Sequence, residues 1–173
     1  MKDFFTFEKK VYDSPFKKQL KSELEGLRHK GKKIVFTNGC FDILHIGHMR
    51  YLQAARALGD VLVVAVNSDS SVKKIKGENR PINSQLNRAE LLSGFECVDF
   101  VIIFEETTAN NTILYLKPEF YVKGGDIEIE NAPETPIVKS YGGSVCIIPL
   151  SETKTHNYST TITINKSSES LKE

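Results

Sequence analysis

The sequence lacks the features of an exported, membrane-spanning or disulfide-stabilised protein. No apolar run approaches the roughly 20 residues that a helix needs to cross a bilayer, and the N-terminal segment has no apolar stretch of signal-peptide length. The three cysteines, Cys40, Cys97 and Cys146, are scattered and form no CxxC pair, so neither a zinc knuckle nor a disulfide framework is indicated. We therefore expect a cytoplasmic protein without a membrane partner.

The sequence also lacks a charge excess of either sign. Lysine and arginine total 23, and aspartate and glutamate total 22, so the formal net charge is +1. A protein that coats nucleic acid needs a broad basic excess, and we therefore expect no nucleic-acid partner. A small anionic ligand remains compatible with this balance, because a few basic side chains in one place are hidden in a neutral total.

The length of 173 residues is typical of one domain with a small appendage. A lysine-rich helical extension is predicted at 1–33, because Ser14 and Pro15 are typical of a helix start and apolar residues follow at helical spacing until Gly31. The main domain is predicted at 34–166, and a polar tail is predicted at 167–173.

Beyond the extension, short apolar runs alternate with helical patterns. Strands are predicted at 34–37, 61–66, 100–104, 120–123 and 145–148. Helices are predicted at 47–58, 84–95, 108–116 and 134–141, with a last helix beginning near 159. This alternation is typical of an α/β fold with a doubly wound parallel sheet, here of about five strands. Because ligands bind such sheets beyond the carboxyl ends of the strands, the loops at 38–48, 67–80 and 124–126 are predicted to carry the chemistry.

The first of these loops concentrates groups suited to a polyphosphate. Gly39 allows close backbone approach, and His45 and His48 are three residues apart at a helix start, where both rings can lie on one face. Gly47 leaves room between them, and the helix N-terminus adds free N–H groups. Two other interpretations stay open: hydrogen-bonded structural histidines, and a zinc site with Asp42 or a remote residue as the third ligand.

The sequence resembles the HxGH nucleotidyltransferase superfamily in its cytidylyltransferase-like branch. The resemblance rests on NGCFD at 38–42 and HIGH at 45–48. It extends in order and spacing to VNSD at 66–69, KKIKG at 73–77, NR at 87–88, VKGGD at 122–126 and YSTT at 158–161. Within the superfamily, FTNGCFDILHIGH, AVNSDSSVKKIKGENRPI and VKGGD are most similar to the adenylyltransferases that activate D-glycero-β-D-manno-heptose 1-phosphate.

The resemblance implies a Rossmann-like fold and attack by a sugar phosphate oxygen on the α-phosphorus of a nucleoside triphosphate, with pyrophosphate as the leaving group. It implies catalytic roles for His45, His48, Lys74 and Arg88. The implied nucleotide-binding residues are Thr37, Asn38, Gly39, Cys40, Phe41, Asp42, Gly47, Lys76, Gly124, Gly125, Asp126, Ser159, Thr160 and Thr161. Asn67, Asp69 and Arg80 are implied for the acceptor.

The resemblance also implies ATP as co-substrate, Mg²⁺ bound through the triphosphate, a homodimer and a separate sugar kinase in the same pathway. Asp42 is expected to orient His45 or to steer the Mg²⁺. Three alternatives stay open: a cytidylyltransferase that uses CTP and a phosphate such as glycerol 3-phosphate, a nucleotide-binding regulatory module, and a metal-dependent hydrolase. The segment 127–136 departs from the family pattern, because it lacks the aromatic residue after GGD and a glycine further on.

Overall fold

The protein is described by a computed structural model that covers residues 10–12, 17–125, 128–149, 160 and 164. In chain order its elements are β1 (Val11–Tyr12), α1 (Lys17–His29), β2 (Ile34–Gly39), α2 (Ile46–Arg56), β3 (Val61–Asn67), α3 (Asp69–Lys76), α4 (Gln85–Ser93), β4 (Phe100–Phe104), α5 (Asn110–Leu116), β5 (Phe120–Gly124), a 3₁₀ turn (Ile129–Asn131), α6 (Thr135–Ser140) and β6 (Ser144–Ile148). No helix of this described part is long and apolar enough to cross a membrane.

The strands form one parallel sheet in the order β1-β4-β3-β2-β5-β6. The chain runs from β2 outward through β3 and β4 and then returns to the other side of β2 with β5 and β6. The doubly wound parallel sheet predicted from the sequence is therefore confirmed. The direction of winding reverses at β2, and in such sheets the crevice at this point is where ligands bind.

The sheet has six strands rather than about five, because the short strand β1 extends it beyond β4. Two residues are too few to give an apolar pattern in the sequence. The strand is held instead by tertiary contacts: the buried Tyr12 ring packs edge-on against Phe100, and its hydroxyl donates to Glu23 at 2.7 Å. Part of the predicted extension at 1–33 is therefore a component of the sheet.

The core consists of two apolar layers, one on each face of the sheet. Strand β3 is buried at every position, which explains its continuous apolar sequence. One layer places Leu20 and Leu24 of α1 against the face that carries Phe36 and Tyr121. The other layer packs α2 and α4 against the opposite face.

The predicted loop at 67–80 is the main error of the secondary-structure prediction, because it contains the helix α3. Ser68 caps this helix by accepting the N–H of Ser71. The helix is only eight residues long, and Val72 and Ile75 are its two apolar residues, of which Ile75 is exposed. Two apolar positions are too few to establish a helical period from the sequence.

Candidate active site

His45 and His48 lie side by side at the start of α2, with ring centroids 3.9 Å apart. His45 is the N-cap residue, and its Nδ1 accepts the N–H of Gly47 at 3.2 Å. The Nδ1 atom of His48 accepts the N–H of His45 at 3.3 Å. A neutral imidazole carries one proton, so both rings hold theirs on Nε2 and offer an Nε2–H donor. The two rings predicted to lie on one face do so.

Both histidines are neutral near pH 7. Burial lowers the pKa of His45, and burial together with the neighbouring His45 lowers the pKa of His48 to about 4. The pair therefore offers hydrogen-bond donors to an anion rather than fixed positive charges. A bound polyanion would favour the charged form and raise both pKa values.

The loop between β2 and α2 is shaped by a contact that involves Phe41. Phe41 has a backbone φ of +46° and packs edge-on against His48, with ring centroids 5.5 Å apart. A Cβ atom on Gly39 would lie 3.1 Å from the Phe41 ring, so a larger residue would displace it. Gly39 and Phe41 thus support the histidine pair, while Gly47 is buried beneath it.

The structure gives Asp42 a different role from the two expected of it. Its carboxylate accepts Nε of Arg80 at 2.6 Å and the backbone N–H groups of Ile82 and Asn83 at 2.8 and 2.9 Å. These bonds hold the pKa of Asp42 low against the opposing effect of burial. With its side chain 1% exposed, the carboxylate is occupied by the 80–83 segment. Arg80, predicted for the acceptor, is the partner in this ion pair.

Arg88, predicted to bind phosphate, is fully buried and directed into the protein. Its guanidinium donates to the carbonyl oxygens of Cys40, Asn67 and Asn83. It also donates to the carboxylate of Asp69 at 2.8 Å. One side chain thus connects the ends of β2 and β3 to the starts of α3 and α4. Arg88 positions the loops around the site instead of presenting a charge to a ligand.

Asn67 and Asp69, predicted to contact the nucleotide or acceptor, also belong to this framework. The Asn67 amide nitrogen donates to Ser71 Oγ at 2.9 Å. The backbone N–H of Asp69 donates to Gln85 Oε1 at 2.9 Å. These bonds fix the start of α3 against α4 and account for both side chains.

Lys74 and Lys76 lie in the exposed last turn of α3 rather than in a loop. Burial raises the pKa of the Cys40 thiol, and the charge of Lys76 opposes this shift more than any other basic group does. Lys76 is therefore close enough to the β2 loop to act on groups there. The two lysines predicted from the sequence are therefore exposed cations on the helix that follows β3.

A hydrogen-bonded tyrosine, which the sequence reasoning missed, joins the neighbouring strands β2 and β5. Tyr51 on α2 lies 2.7 Å from the Thr37 hydroxyl oxygen and donates to the Val122 carbonyl at 3.0 Å. A Cβ atom on Gly124 would lie 3.1 Å from its ring. Thr37 and Gly124 therefore border this tyrosine, and Gly125 follows with a φ of +135° that favours glycine. Tyr51 follows His48 at helical spacing, the only sequence signal that could have identified it.

The C-terminal motif reaches the histidine loop through Thr160. Its hydroxyl donates to the carbonyl oxygen of Ile43 at 3.2 Å. This contact places Thr160 beside the loop between β2 and α2, and the roles predicted for 159–161 stay predictions. Ser159, Thr161 and Asp126 lie outside the described residues.

The described residues contain no group of three or more His, Cys, Asp or Glu side chains that could hold a metal ion. The zinc interpretation needed Asp42 or a remote residue as the third ligand. Asp42 is bound to Arg80 instead, and no other described His, Cys, Asp or Glu completes a group of three with the two histidines. A metal-dependent hydrolase built on this ligand set is therefore not supported.

Comparison with known proteins gives matches to one family over most of the chain. A family model described as cytidylyltransferase-like matches residues 36–166. The chain is 47% identical over 141 residues to the bifunctional protein HldE of Syntrophotalea carbinolica, a match that covers 80% of this chain and 29% of that protein. It is 57% identical over 113 residues to the protein of the same name from Nitratiruptor sp., covering 65% of this chain and 24% of that one. The chain thus spans less than a third of the length of these curated relatives.

Two solved structures share the fold. A lipopolysaccharide core biosynthesis protein from Thermoplasma volcanium has 34% identity and a TM-score of 0.58, with 69% of this chain and 96% of that chain covered. A pantoate-beta-alanine ligase from Francisella tularensis has 16% identity and a TM-score of 0.53, with 80% and 66% covered. At that identity, the second match shows the fold alone.

The buried position of Arg88 predicts that Arg88→Lys destabilises the fold. A lysine cannot supply the fork of donors that Arg88 uses, and it leaves buried carbonyl groups and Asp69 without their partner. We expect a loss of about 3–5 kcal/mol in the free energy of unfolding, measured by urea denaturation. The matched control is Arg56→Lys, whose arginine pairs with Asp99 and is more exposed, with an expected cost of about 1 kcal/mol. Unchanged stability with weaker nucleotide binding would instead indicate that Arg88 contacts phosphate.

The lowered histidine pKa values predict a loss of stability in mild acid. The unfolded chain takes up a proton near pH 6.5, whereas folded His48 takes it up only near pH 4. The contribution of neutral His48 to the free energy of unfolding is therefore full above pH 6.5, and it declines as the pH falls toward 4. The Asp42 contribution is lost only at lower pH, because the pKa of that group lies below 3.8. The free energy of unfolding is measured by urea denaturation between pH 7 and 4.5. His48→Asn should reduce its dependence on pH, whereas His29→Asn, at the exposed end of α1, should not. The same pH dependence in the unsubstituted protein and in both variants would contradict the assignment.

Proposed function

This chain is a nucleotidyltransferase that belongs to the cytidylyltransferase-like family, and on that premise we propose that it transfers AMP from ATP to a sugar 1-phosphate with release of pyrophosphate. The observation that carries the proposal is the pair of neutral imidazoles at the N-terminus of α2, beside the reversal point of the sheet. Two Nε2–H donors and a helix N-terminus together suit a triphosphate.

The proposed reaction needs no protein nucleophile. A phosphate oxygen of the acceptor attacks the α-phosphorus, the bond to the β-phosphate oxygen breaks, and pyrophosphate leaves with the electron pair. The protein then contributes by aligning the two substrates and by stabilising the charge that spreads over the phosphoryl oxygens. The loop between β2 and α2 suits such alignment, because hydrogen bonds of Asp42 and Arg88 fix it to the segment before α4 and to α4 itself.

We propose that His45 and His48 donate to the triphosphate and follow the negative charge as the α–β bond breaks. Neutral donors serve this purpose because their hydrogen bonds can strengthen as the phosphate oxygen becomes more anionic. Binding of the polyanion also raises the pKa values of the two histidines toward 7. Lys74 and Lys76 would approach the phosphates from α3. Thr160 would add a hydroxyl group near Ile43, and we propose that Ser159 and Thr161 contribute hydroxyl groups to the phosphates as well.

We propose that Mg²⁺ enters with the nucleotide rather than in a site built by the protein. In the described part of the chain, the nearby carboxylates of Asp42 and Asp69 are occupied by Arg80 and Arg88. The described side chains therefore do not fit a protein-held Mg²⁺. The ion would be bound by phosphate oxygens and water, as Mg²⁺ usually is in nucleotide complexes.

The proposed acceptor is a heptose 1-phosphate, which makes ADP-heptose the product. The support is the identity of about half to the HldE proteins and the likeness to a structure named for lipopolysaccharide core biosynthesis. We propose further that a sugar kinase supplies the acceptor and that the chain acts as a homodimer in the cytoplasm.

A second candidate function is cytidylyl transfer from CTP to a polyol phosphate such as glycerol 3-phosphate. The family model is described by that chemistry. The departure from the family pattern at 127–136 leaves the base preference open, because this segment follows the strand β5 at the predicted nucleotide edge.

A substrate panel tests the proposal directly. Four nucleoside triphosphates are combined with heptose 1-phosphate, other sugar 1-phosphates and glycerol 3-phosphate, and pyrophosphate release is measured. We expect turnover with ATP and heptose 1-phosphate. Turnover with CTP and glycerol 3-phosphate alone would establish the second candidate. Nucleotide binding without turnover in any combination would indicate a regulatory module.

The histidine pair gives a sharper prediction within the same assay. His48→Ala removes one donor aimed at the developing charge, and we expect kcat to fall about 10²–10³-fold. The fold should survive, because His48 is only partly buried. The matched control is His29→Ala, an exposed histidine at the end of α1, which should retain full turnover. Full turnover in His48→Ala would contradict the assigned role.

A further inference from the structure

A group of polar side chains lies on the β5 side of β2, around the predicted nucleotide-binding residue Asn38. Tyr121 on β5 is fully buried, and its hydroxyl donates to Asn38 Oδ1 at 2.8 Å. Glu134, just before α6, is 4% exposed and accepts Nζ of Lys123 at 2.8 Å. Buried polar groups at the ligand edge of a parallel sheet call for an explanation.

The Asn38 side-chain amide carries an oxygen and a nitrogen, and its hydrogen bond with Tyr121 fixes which of the two faces outward. The amide oxygen can only accept hydrogen bonds, and the amide nitrogen can only donate them. Since the tyrosine occupies the oxygen, the nitrogen points away from it, and no partner for that nitrogen is found among the described residues. Asn38 is half-buried at the end of the central strand, two residues before the Cys40 carbonyl that Arg88 binds.

The direction of the tyrosine proton depends on Glu134. Lys123, which holds Glu134, lies two residues from Tyr121 on β5 and therefore on the same face of the sheet. In agreement with this placement, burial and the nearby charge of Glu134 raise the pKa of Tyr121. If the tyrosine hydroxyl donated to Glu134 instead of to Asn38, its oxygen would be left as an acceptor and the Asn38 amide would turn its nitrogen inward. Lys123 neutralises Glu134 through the ion pair and so weakens this competition.

We propose that Tyr121 is a positioning residue that holds the Asn38 amide with its N–H₂ group toward the phosphate of the bound nucleotide, and that Lys123 maintains this state by pairing with Glu134. A phosphate oxygen only accepts hydrogen bonds, so the opposite orientation of the amide would repel it. The inference rests on the proposed nucleotidyl transfer for its functional consequence, but the orientation itself is a property of the free protein.

Glu134 belongs to the segment 127–136 where the chain departs from the family pattern. Because it acts on Asn38 only through Tyr121, the segment can influence the nucleotide site without touching the ligand.

The orientation is tested first without substrate. In ¹⁵N-labelled protein the Asn38 side-chain amide signals are assigned by their absence in Asn38→Asp. We expect these protons to exchange with solvent about as fast as in a peptide, because the nitrogen has no partner among the described residues. Strong protection of one amide proton would show that Tyr121 accepts from the nitrogen, and it would overturn the proposal even if the protein had no transferase activity.

The functional consequence is tested with kcat/KM for the nucleotide. Tyr121→Phe should lower it about tenfold to a hundredfold, the range expected for one hydrogen bond to a charged group. Because the tyrosine acts through Asn38, the double variant with Asn38→Ala should be no worse than Asn38→Ala alone. Tyr141→Phe is the matched control, since the buried Tyr141 hydroxyl has no hydrogen-bond partner among the described residues. Additive losses in the double variant would show that Tyr121 does not act through Asn38.

A second pair of variants keeps the proposal testable if Tyr121→Phe does not fold. Lys123→Met should lower kcat/KM by a similar factor, because unpaired Glu134 then competes for the tyrosine proton. Adding Glu134→Gln should restore most of the loss. A loss that Glu134→Gln does not restore would mean that Lys123 contacts the ligand directly, and the relay would be wrong.

Discussion

The buried guanidinium of Arg88 is the interaction on which the ligand edge of this fold depends. It binds carbonyl groups at the ends of β2 and β3, another before α4, and the carboxylate that opens α3. A buried charge is costly unless its hydrogen bonds are satisfied. The four bonds meet that condition only when the strand ends and helix starts adopt this one arrangement. Arg88 therefore makes the geometry of the edge a condition of folding.

This use of arginine changes how the site handles negative charge. Arg88 and Arg80 both satisfy internal acceptors, and the two histidines are neutral. In the proposed function, the edge would meet a polyphosphate with backbone and imidazole donors that are fixed in place, and with lysine charge from the exposed end of α3. Fixed donors give alignment at little reorganisation cost. The exposed lysines would add attraction, and the overall charge of +1 is compatible with such a local arrangement.

The sequence was sufficient for the sheet and for the histidine pair, and insufficient where tertiary contacts decide the outcome. Buried apolar runs such as β3 identify themselves, and the spacing of His45 and His48 at a helix start places both rings correctly. The strand β1 and the helix α3 were not predicted because each is too short for its few apolar residues to establish a period. Residue types alone also cannot show which way a polar side chain faces. Arg88 and Asp42 were identified as important, yet both turn inward; Tyr51 and Tyr121 were missed because aromatic residues in regular elements resemble ordinary core.

The β3 side and the β5 side of β2 differ in how far a substitution can alter the site without altering stability. On the β3 side, Arg88 ties the loops together, so a substitution that alters the site there also alters stability. On the β5 side, the Tyr121 hydroxyl donates to Asn38, and Lys123 pairs with Glu134. These side chains are separate from the four hydrogen bonds of Arg88, so a substitution among them leaves the framework that Arg88 holds intact. We therefore expect substrate preference to be adjusted more readily on the β5 side of the sheet than around Arg88.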